Sequence, residues 1–275
     1  MIKPKVEDIL LSKRLTKVIN EDFYIFEAEN FLPLDFYIAL AESFPQRAFL
    51  KKDNYQRMIL KFNSTDMLDE SNVSNNRVHE FFYKSPEWSH FLSLLTDNKF
   101  IYDALNLLNK PISHHKGFKY FFRKNKYRKY VDNSKLVDKL FNNISVKFMF
   151  SEAKSSTMLP IHTDSKYKLF TLLLYFPDKN WLSKYHGETI FFKTKNNADQ
   201  DQKSKWSLLG KKNTHIKETK LISKFHNNYE QLYKSKYIAN NITGFVKSDK
   251  SWHTVDSMVL PKNVFRRVFI INFTL

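Results

Sequence analysis

The strongest constraint on the fold is a change in the spacing of apolar residues near Gly117. Before this point the spacing is mostly helical, and after it apolar, aromatic and β-branched residues come in short runs typical of strands. The predicted strands are Gly117–Arg123, Ile144–Ser151, Lys168–Phe176, Glu188–Lys193, Ile242–Lys247, Trp252–Val255 and Phe265–Leu275. Seven short strands after a helical start predict a β-sandwich or barrel with helices packed outside it.

The N-terminal part supplies the predicted helices. One follows Pro33 and covers Phe36–Phe44, and a second pattern runs from about Pro86 to Leu108, with polar, irregular residues at 51–80 between them. We expect a single domain over residues 1–275, with a mainly helical lead-in at 1–115 and a β core at 116–275. Residues 194–236 are rich in Lys and Asn and are interpreted as an insertion at one end of the core, for which a lid is one role.

Composition excludes several classes of protein. The chain has no cysteine, which excludes disulfides, thiolate zinc sites, thiol nucleophiles and cysteine-ligated iron–sulfur clusters. No run of 18 apolar residues predicts a membrane span, and the first residues lack the apolar core of a secretion signal. The cytoplasm is therefore the expected compartment.

A formal net charge of +17 suggests a nucleic-acid partner. The charge comes from 37 lysines and only 8 arginines, beside 24 asparagines and 26 phenylalanines, a bias that an AT-rich genome imposes on any protein. Arginine is the residue that clamps phosphates and bases in fixed geometry. A solvated lysine surface is therefore favoured over a nucleic-acid face, and the same field would attract an anionic substrate.

A candidate metal site is formed by His162, Asp164 and His253. Two side chains two residues apart on an extended segment point to the same side, so His162 and Asp164 can approach one ion. A second imidazole from His253 would complete the two-histidine, one-carboxylate set that suits Fe(II) and leaves positions open for other ligands. His186 and Glu188 form a competing pair of the same kind.

The order of motifs resembles the 2-oxoglutarate/Fe(II) oxygenase superfamily, in particular its prolyl-hydroxylase-like branch. The resemblance covers about residues 117–275. The residues that carry it are Ile161-His162-Thr163-Asp164, the run Leu169–Phe176, Gly187-Glu188-Thr189-Ile190-Phe191-Phe192, Ser251-Trp252-His253-Thr254-Val255 and Arg266-Arg267-Val268-Phe269-Ile270. The resemblance implies a double-stranded β-helix (jelly-roll, cupin-like) core. It favours His162, Asp164 and His253 as iron ligands and assigns His186 and Glu188 to the start of a strand.

The resemblance also implies a reaction with Fe(II), 2-oxoglutarate and O₂, most readily a hydroxylation that releases succinate. A guanidinium is the natural clamp for the distal carboxylate of 2-oxoglutarate. Arg266 is favoured over Arg267, although the Ser that commonly supports this Arg in the family is Val268 here. Thr171, Tyr175 and Asn241 are further candidate contacts of the co-substrate. For Thr171 and Tyr175 a core position is the alternative, and for Asn241 a turn.

We expect the substrate to be a small molecule, sugar or glycan, with an anionic substrate as one option. A nucleic-acid demethylase of the same superfamily is disfavoured, because Arg266–Leu275 lacks the Arg-x-Asn-x₅-Arg pattern that is typical of those enzymes. The alternative from another class is a non-catalytic, cupin-like protein that binds nucleic acid or an anionic polymer through its lysines. The sequence leaves the oligomeric state open.

Overall fold

A computed structural model describes residues 3–63, 76–117, 144–155, 159–196, 198, 200–211 and 215–275. The helices are α1 (Leu11–Arg14), α2 (Leu34–Glu42), α3 (Asn76–Lys84), α4 (Pro86–Thr96), α5 (Asn98–Leu107), α6 (Asn109–Lys116), α7 (Gln200–Lys211) and α8 (Thr219–Asn228). Short 3₁₀ turns lie at Val6–Asp8, Arg47–Phe49 and Ser183–Tyr185. Within the described residues, no helix is both long and apolar enough to cross a membrane.

Thirteen strands are described, and they form two antiparallel sheets. They are β1 (Lys17–Asn20), β2 (Tyr24–Ala28), β3 (Lys51–Lys52), β4 (Met58–Asn63), β5 (Ser145–Ala153), β6 (Ile161–His162), β7 (Lys168–Tyr175), β8 (Thr189–Thr194), β9 (His215–Ile216), β10 (Tyr229–Lys234), β11 (Ile242–Val246), β12 (His253–Val255) and β13 (Arg266–Thr274). The major sheet has the order β1-β2-β11-β7-β13-β5-β4-β3, and the minor sheet has the order β10-β8-β12-β6-β9.

The connections between the sheets define a double-stranded β-helix. From β5 to β13 the chain crosses repeatedly from one sheet to the other, so that β5, β13, β7 and β11 lie side by side in the major sheet. The four strands β6, β12, β8 and β10 form the matching set in the minor sheet. This topology confirms the predicted β core with helices at the N-terminus.

The outer face of the major sheet packs against the N-terminal helices. Trp88 of α4 is fully buried, and its ring centroid lies 4.6 Å from that of Phe150 on β5 and 5.0 Å from that of Phe269 on β13. The other face of the sheet looks toward the minor sheet, so both faces of the central strands are covered. This explains why β7 is buried over nearly its whole length instead of alternating between apolar and polar residues.

The N-terminal part differs from the expectation of a mainly helical lead-in. The short strands β1 and β2 extend the major sheet at one edge, and β3 and β4 extend it at the other. Residues 51–80 are therefore not irregular throughout, because they contain β4 and the start of α3. The helical pattern predicted from Pro86 is divided into α4 and α5, because the Asp97 side chain accepts a hydrogen bond from the Lys99 amide and caps α5.

The segment 194–236 is also more than an insertion. It contains α7 and α8, but its strands β9 and β10 form the two edges of the minor sheet. The Lys- and Asn-rich composition of this segment did not predict β9 and β10, because edge strands face solvent on one side and carry few apolar residues. The predicted strand Gly117–Arg123 lies, apart from Gly117, outside the described residues.

We expect Gly244→Ala to lower the free energy of unfolding by about 1 to 3 kcal/mol, because β11 has no room for a side chain at this position. A Cβ atom on Gly244 would lie 2.1 Å from the buried Phe26 ring of β2. Urea unfolding of the variant measures the loss. Adding Phe26→Leu should recover part of it, and strictly additive losses in the double variant would contradict this origin.

Candidate active site

The pairing of β6 with β12 brings two histidines together. His162 and His253 are direct cross-strand partners, and their ring centroids lie 4.3 Å apart. His162 also pairs with His215 of β9 on its other side, and those two rings stack at 5.0 Å with an angle of 14°. Three histidines therefore stand in a row across the minor sheet.

Backbone carbonyls fix the orientation of the first two imidazoles. His162 Nδ1 lies 2.8 Å from the Pro160 carbonyl oxygen, and His253 Nδ1 lies 3.0 Å from that of Ser251. A carbonyl oxygen only accepts, so each Nδ1 carries the proton and donates it. The Nε2 lone pair of both rings is then available to a metal, which is the usual way in which a second hydrogen bond orients a metal-binding histidine.

Asp164 follows directly on the same loop and is held by two side chains. Lys168 donates to its Oδ1 at 2.7 Å, and the Thr171 hydroxyl donates to its Oδ2 at 2.9 Å. Burial by itself would raise the pKa of Asp164, but the Lys168 charge and the neighbouring histidines outweigh it and keep that pKa below its ordinary value. Asp164 is thus a carboxylate at neutral pH.

His162, Asp164 and His253 fit a divalent metal ion. Each offers one ligand atom, and these atoms all lie within 4.8 Å of one another. Burial lowers the pKa of both histidines, so that both are neutral and able to bind a metal at neutral pH. Two imidazoles and one carboxylate form the donor set that suits Fe(II).

The three side chains line a cavity of about 260 Å³ between the two sheets. Its inner wall is largely apolar, with Leu173, Phe245, Val268 and Ile270 contributed by the major sheet. Elsewhere the lining is polar and basic, with Tyr55, Arg57, Lys61 and Ser151 toward the β4 edge, His215 on β9, and Ser165 and Lys168 next to Asp164. Such a mixture of apolar wall and a few polar groups is typical of sites for small ligands.

Arg266 enters the same cavity from β13 and is 5 % exposed. Its Nε donates to the Gly187 carbonyl oxygen, and its Nη2 lies 3.3 Å from the Thr189 hydroxyl. Its guanidinium also lies over the Tyr237 ring, 5.2 Å from the centroid. In the described part of the chain no carboxylate lies within 4.0 Å of it, and the negative charge of Glu188 acts on it only from a greater distance.

Arg267 lies on the opposite face of β13. Its Nε is 3.1 Å from Oε2 of Glu152, a buried carboxylate that is also paired with Arg47 at 2.7 Å. Adjacent residues of a strand point to opposite sides, so only one of the two arginines can reach the cavity. The structure therefore places Arg266 in the cavity with His162, Asp164 and His253 and leaves Arg267 in a separate ion-pair network.

Of the other three candidate contacts of the co-substrate, one lines the cavity and two do not. Thr171 lines the cavity and touches Asp164. Tyr175 lies behind Arg266, where its hydroxyl group is 2.9 Å from the Ser235 hydroxyl. Asn241 is fully buried away from the cavity lining, and its Nδ2 donates to the Lys236 carbonyl oxygen. Its Oδ1 is buried and has no hydrogen-bond partner among the described residues.

The competing pair His186 and Glu188 lies elsewhere, immediately before β8. Both residues are close to Asp256, but the cluster already holds a cation, since Lys234 Nζ lies 2.7 Å from Asp256 and 3.6 Å from Glu188. The intervening Gly187 has a φ of +90° and supplies the carbonyl that binds Arg266. This segment therefore shapes the start of a strand and supports the arginine.

Several residues at the site were missed by sequence reasoning. Lys168 follows Asp164 by four residues. This spacing predicts a side-chain contact in a helix, but not in a loop followed by a strand. His215 lies in the segment interpreted as an insertion, and Tyr55, whose ring lies 5.7 Å from that of His215, lies in the segment interpreted as irregular. Only contact across the sheets brings Tyr55 and His215 to the site, so no local pattern could have found these two residues.

Neither a known family model nor a curated protein matches the chain. Its fold is similar to that of a prolyl-4-hydroxylase from Pseudomonas putida, at 11% identity and a TM-score of 0.44, over 92% of this chain and 94% of that one. A prolyl 4-hydroxylase from Phytophthora capsici has 12% identity and a TM-score of 0.45, over 100% and 66%. The dioxygenase for auxin oxidation 1 from Arabidopsis thaliana has 13% identity and a TM-score of 0.39, over 91% and 82%.

We expect Thr171→Val to weaken Fe(II) binding by about tenfold or more, because it removes the hydroxyl that orients Asp164. Anaerobic Fe(II) titration measures the effect. Thr243→Val is the matched control, since the Thr243 hydroxyl donates to Glu27 in the neighbouring strand and does not reach the cavity. Equal losses of affinity in the two variants would contradict a specific role of Thr171.

The metal-free protein should lose stability as the pH falls below about 6.5. Burial lowers the pKa of His253 in the folded state, so the unfolded chain takes up a proton first and is favoured by acid. Each such histidine contributes a slope of up to about 1.4 kcal/mol per pH unit. The pKa of Asp164 is also lowered from 3.8, but its contribution is lost only at more acidic pH.

Urea unfolding between pH 7 and pH 5 tests this pH dependence. His253→Gln should reduce the slope, because its side chain does not titrate. An unchanged slope in the variant would show that other groups determine acid stability.

Proposed function

We propose that the chain is an oxygenase that uses Fe(II), 2-oxoglutarate and O₂ to oxidise an organic substrate, most simply by hydroxylation. One observation carries the proposal. A single cavity contains both a set of neutral imidazoles with a carboxylate and a buried guanidinium that forms no ion pair within 4.0 Å among the described residues. A ligand that binds a metal at one end and carries a free carboxylate at the other end satisfies both.

In this proposal His162, Asp164 and His253 hold the iron. Arg266 binds the distal carboxylate of 2-oxoglutarate, with the Thr189 hydroxyl beside it. Bound iron with 2-oxoglutarate and O₂ supplies the oxidising chemistry, in which the co-substrate becomes succinate and CO₂ and one oxygen atom is available to the substrate. The protein contributes binding, orientation and electrostatics.

The surroundings of Arg266 support a carboxylate ligand. Burial lowers the pKa of its guanidinium, which reflects the cost of a cation in a site with little water. Its Nε and one terminal N–H are engaged by Gly187 and Thr189, and this fixes the plane of the group. A fixed guanidinium is preorganised for bidentate binding of a carboxylate.

The apolar inner wall has a role in the same chemistry. Leu173, Phe245 and Val268 present apolar surface beside the metal ligands and Arg266, so bound ligands would displace water from this part of the cavity. Exclusion of water strengthens the electrostatic interactions inside and protects a reactive intermediate from side reactions. The main substrate would enter from the polar end of the cavity, near Tyr55 and His215.

The substrate is proposed to be a small molecule or glycan-type compound. The alternative, a non-catalytic protein that binds nucleic acid or an anionic polymer, is not favoured. Such a protein would have no need for two histidines with fixed tautomers beside a buried carboxylate, nor for a buried arginine without a close ion pair in the same cavity.

Anaerobic protein mixed with Fe(II) and 2-oxoglutarate should develop the visible charge-transfer band of the chelated iron. His162→Ala should abolish the band by removing a ligand. Arg266→Gln should keep the band but require at least about tenfold more 2-oxoglutarate, because it removes a charge-assisted, bidentate contact. Titration of the absorbance with 2-oxoglutarate measures both effects.

Arg267→Gln is the matched control for Arg266→Gln. It removes the same charge from the next residue, on the face of β13 that binds Glu152. Its affinity for 2-oxoglutarate should stay close to that of the wild type. If the folded wild-type protein shows no band at saturating ligand, the oxygenase proposal is wrong.

A further inference from the structure

The charges in the cavity lining are strongly uneven. The cations are Arg57, Lys61, Lys168 and Arg266, whereas Asp164 is the one acidic residue of the described lining. Lys168 is paired with Asp164, and Arg266 is assigned to the co-substrate. Fe(II) and 2-oxoglutarate carry equal and opposite charges, so their binding leaves Lys61 without a carboxylate partner among the described residues, and Arg57 with Asp53, which lies outside the lining. Arg57 and Lys61 therefore have no role in the proposed iron chemistry.

Arg57 is held in a defined position. Both its Nε and its Nη2 lie 2.8 Å from Oδ2 of Asp53, and the side chain is only 14 % exposed. The other oxygen of Asp53 accepts the backbone N–H groups of Tyr55 and Arg57, which fixes the turn between β3 and β4. The remaining terminal N–H groups of Arg57 have no acceptor in the described part of the chain.

The sheet places Arg57 at the level of Arg266. Arg266 pairs with Ala153 on β5, and Met58 of β4 pairs with Glu152, so one further residue brings Arg57 opposite Ala153. The two arginines are thus two strand spacings, or about 10 Å, apart along one row of the sheet. The small side chain of Ala153 lies between them.

This spacing argues against a shared role. The two guanidinium groups are near enough to interact, because the charge of Arg57 adds to burial in lowering the pKa of Arg266. They nevertheless occupy different ends of the row, and Arg57 lies beside Tyr55 at the open end of the cavity, away from the apolar inner wall. Asp53 neutralises Arg57 in part and fixes its plane, so a second anionic group would bind the terminal N–H groups that Asp53 leaves free.

We infer that the main substrate carries a carboxylate or phosphate group, which Arg57 binds at the open end of the cavity while Lys61 adds to the positive field. The inference rests on the proposed oxygenase function and adds the chemical class of the substrate. Lys61 follows Arg57 by four residues on the inner face of β4, so the two cations line the same wall. A fixed guanidinium gives directional contacts to an oxyanion, and the more flexible lysine adds charge.

The neighbouring wall indicates the rest of the substrate. Met149 pairs with Lys61 on one side and with Ile270 on the other, and Ile270 pairs with Leu173. All three lie between the basic edge and the metal ligands, so an apolar carbon skeleton fits between the anionic group and the oxidised position. The cavity of about 260 Å³ must also hold the co-substrate, which favours a small organic acid or phosphate ester.

The test uses matched pairs of probes with the anaerobic protein loaded with Fe(II) and 2-oxoglutarate. Glucose 6-phosphate is paired with glucose, glycerol 3-phosphate with glycerol, and hexanoate with hexanamide, and binding is followed by the shift of the charge-transfer band. At least one acid should bind ten times more tightly than its neutral partner. The phosphate and carboxylate pairs distinguish the two sources of the anion.

Variants then assign the preference to residues. Arg57→Gln should abolish the preference for the acid, and Arg57→Lys should restore part of it. Lys61→Gln, at an exposed position where folding is not at risk, should weaken acid binding several-fold. Lys51→Gln is the control, since it removes an exposed charge from the same hairpin outside the cavity lining.

The outcomes separate this inference from the proposed function. Absence of the band in the wild type refutes the oxygenase itself. If the band forms but no acid is preferred over its neutral partner, or if Arg57→Gln keeps the preference, the inference alone is overturned. It is also overturned if Arg57→Gln weakens 2-oxoglutarate binding as strongly as Arg266→Gln, because Arg57 would then belong to the co-substrate site.

Discussion

The candidate site depends on the antiparallel pairing of β6 with β12. This pairing sets His162 opposite His253, although 90 residues lie between them in the chain. β6 is only two residues long and is held by β12 on one side and β9 on the other. The Thr163 hydroxyl, which donates to the Gly210 carbonyl at the end of α7, secures the loop that presents Asp164. Closing so long a loop is entropically costly, and the extensive pairing of β13 with β5 and β7 offsets that cost.

The parts of the site that sequence predicts are those set by local geometry. His162 and Asp164 lie two residues apart on an extended segment, and this alone places both side chains on one face. The same alternation predicts that either Arg266 or Arg267 faces the interior, but not both. It cannot decide which, because that depends on the position of Glu152 on the neighbouring strand. The strands with long aromatic or β-branched runs were predicted for a related reason, since their residues are buried on both faces.

The parts that sequence does not predict arise from contacts between distant segments. Arg57, Tyr55 and His215 meet at the open end of the cavity only because β4 extends the major sheet and β9 extends the minor one. Edge strands of this kind are short and polar, so their composition is that of loops. Asn241 is the opposite case, because a polar residue beside a strand suggested a ligand contact, whereas its amide group supports a turn.

Arg266 and Arg267 lie on opposite faces of β13, and their charges have different surroundings. Arg267 faces Glu152 and gains an ion pair that stays partly solvated, so its charge is neutralised within the fold. Arg266, one residue earlier, is buried with no carboxylate of the described residues within 4.0 Å, and a buried cation without a close ion pair is costly in an apolar site. Contacts with Gly187, Thr189 and the Tyr237 ring offset only part of that cost. A carboxylate ligand would offset the remainder, and its binding free energy would then include the relief of an unfavourable interaction in the empty protein. Because no described carboxylate forms an ion pair with Arg266, its guanidinium remains available to an anionic ligand beside His162, Asp164 and His253. A carboxylate from the chain at this position would have neutralised Arg266 and weakened its binding of such a ligand.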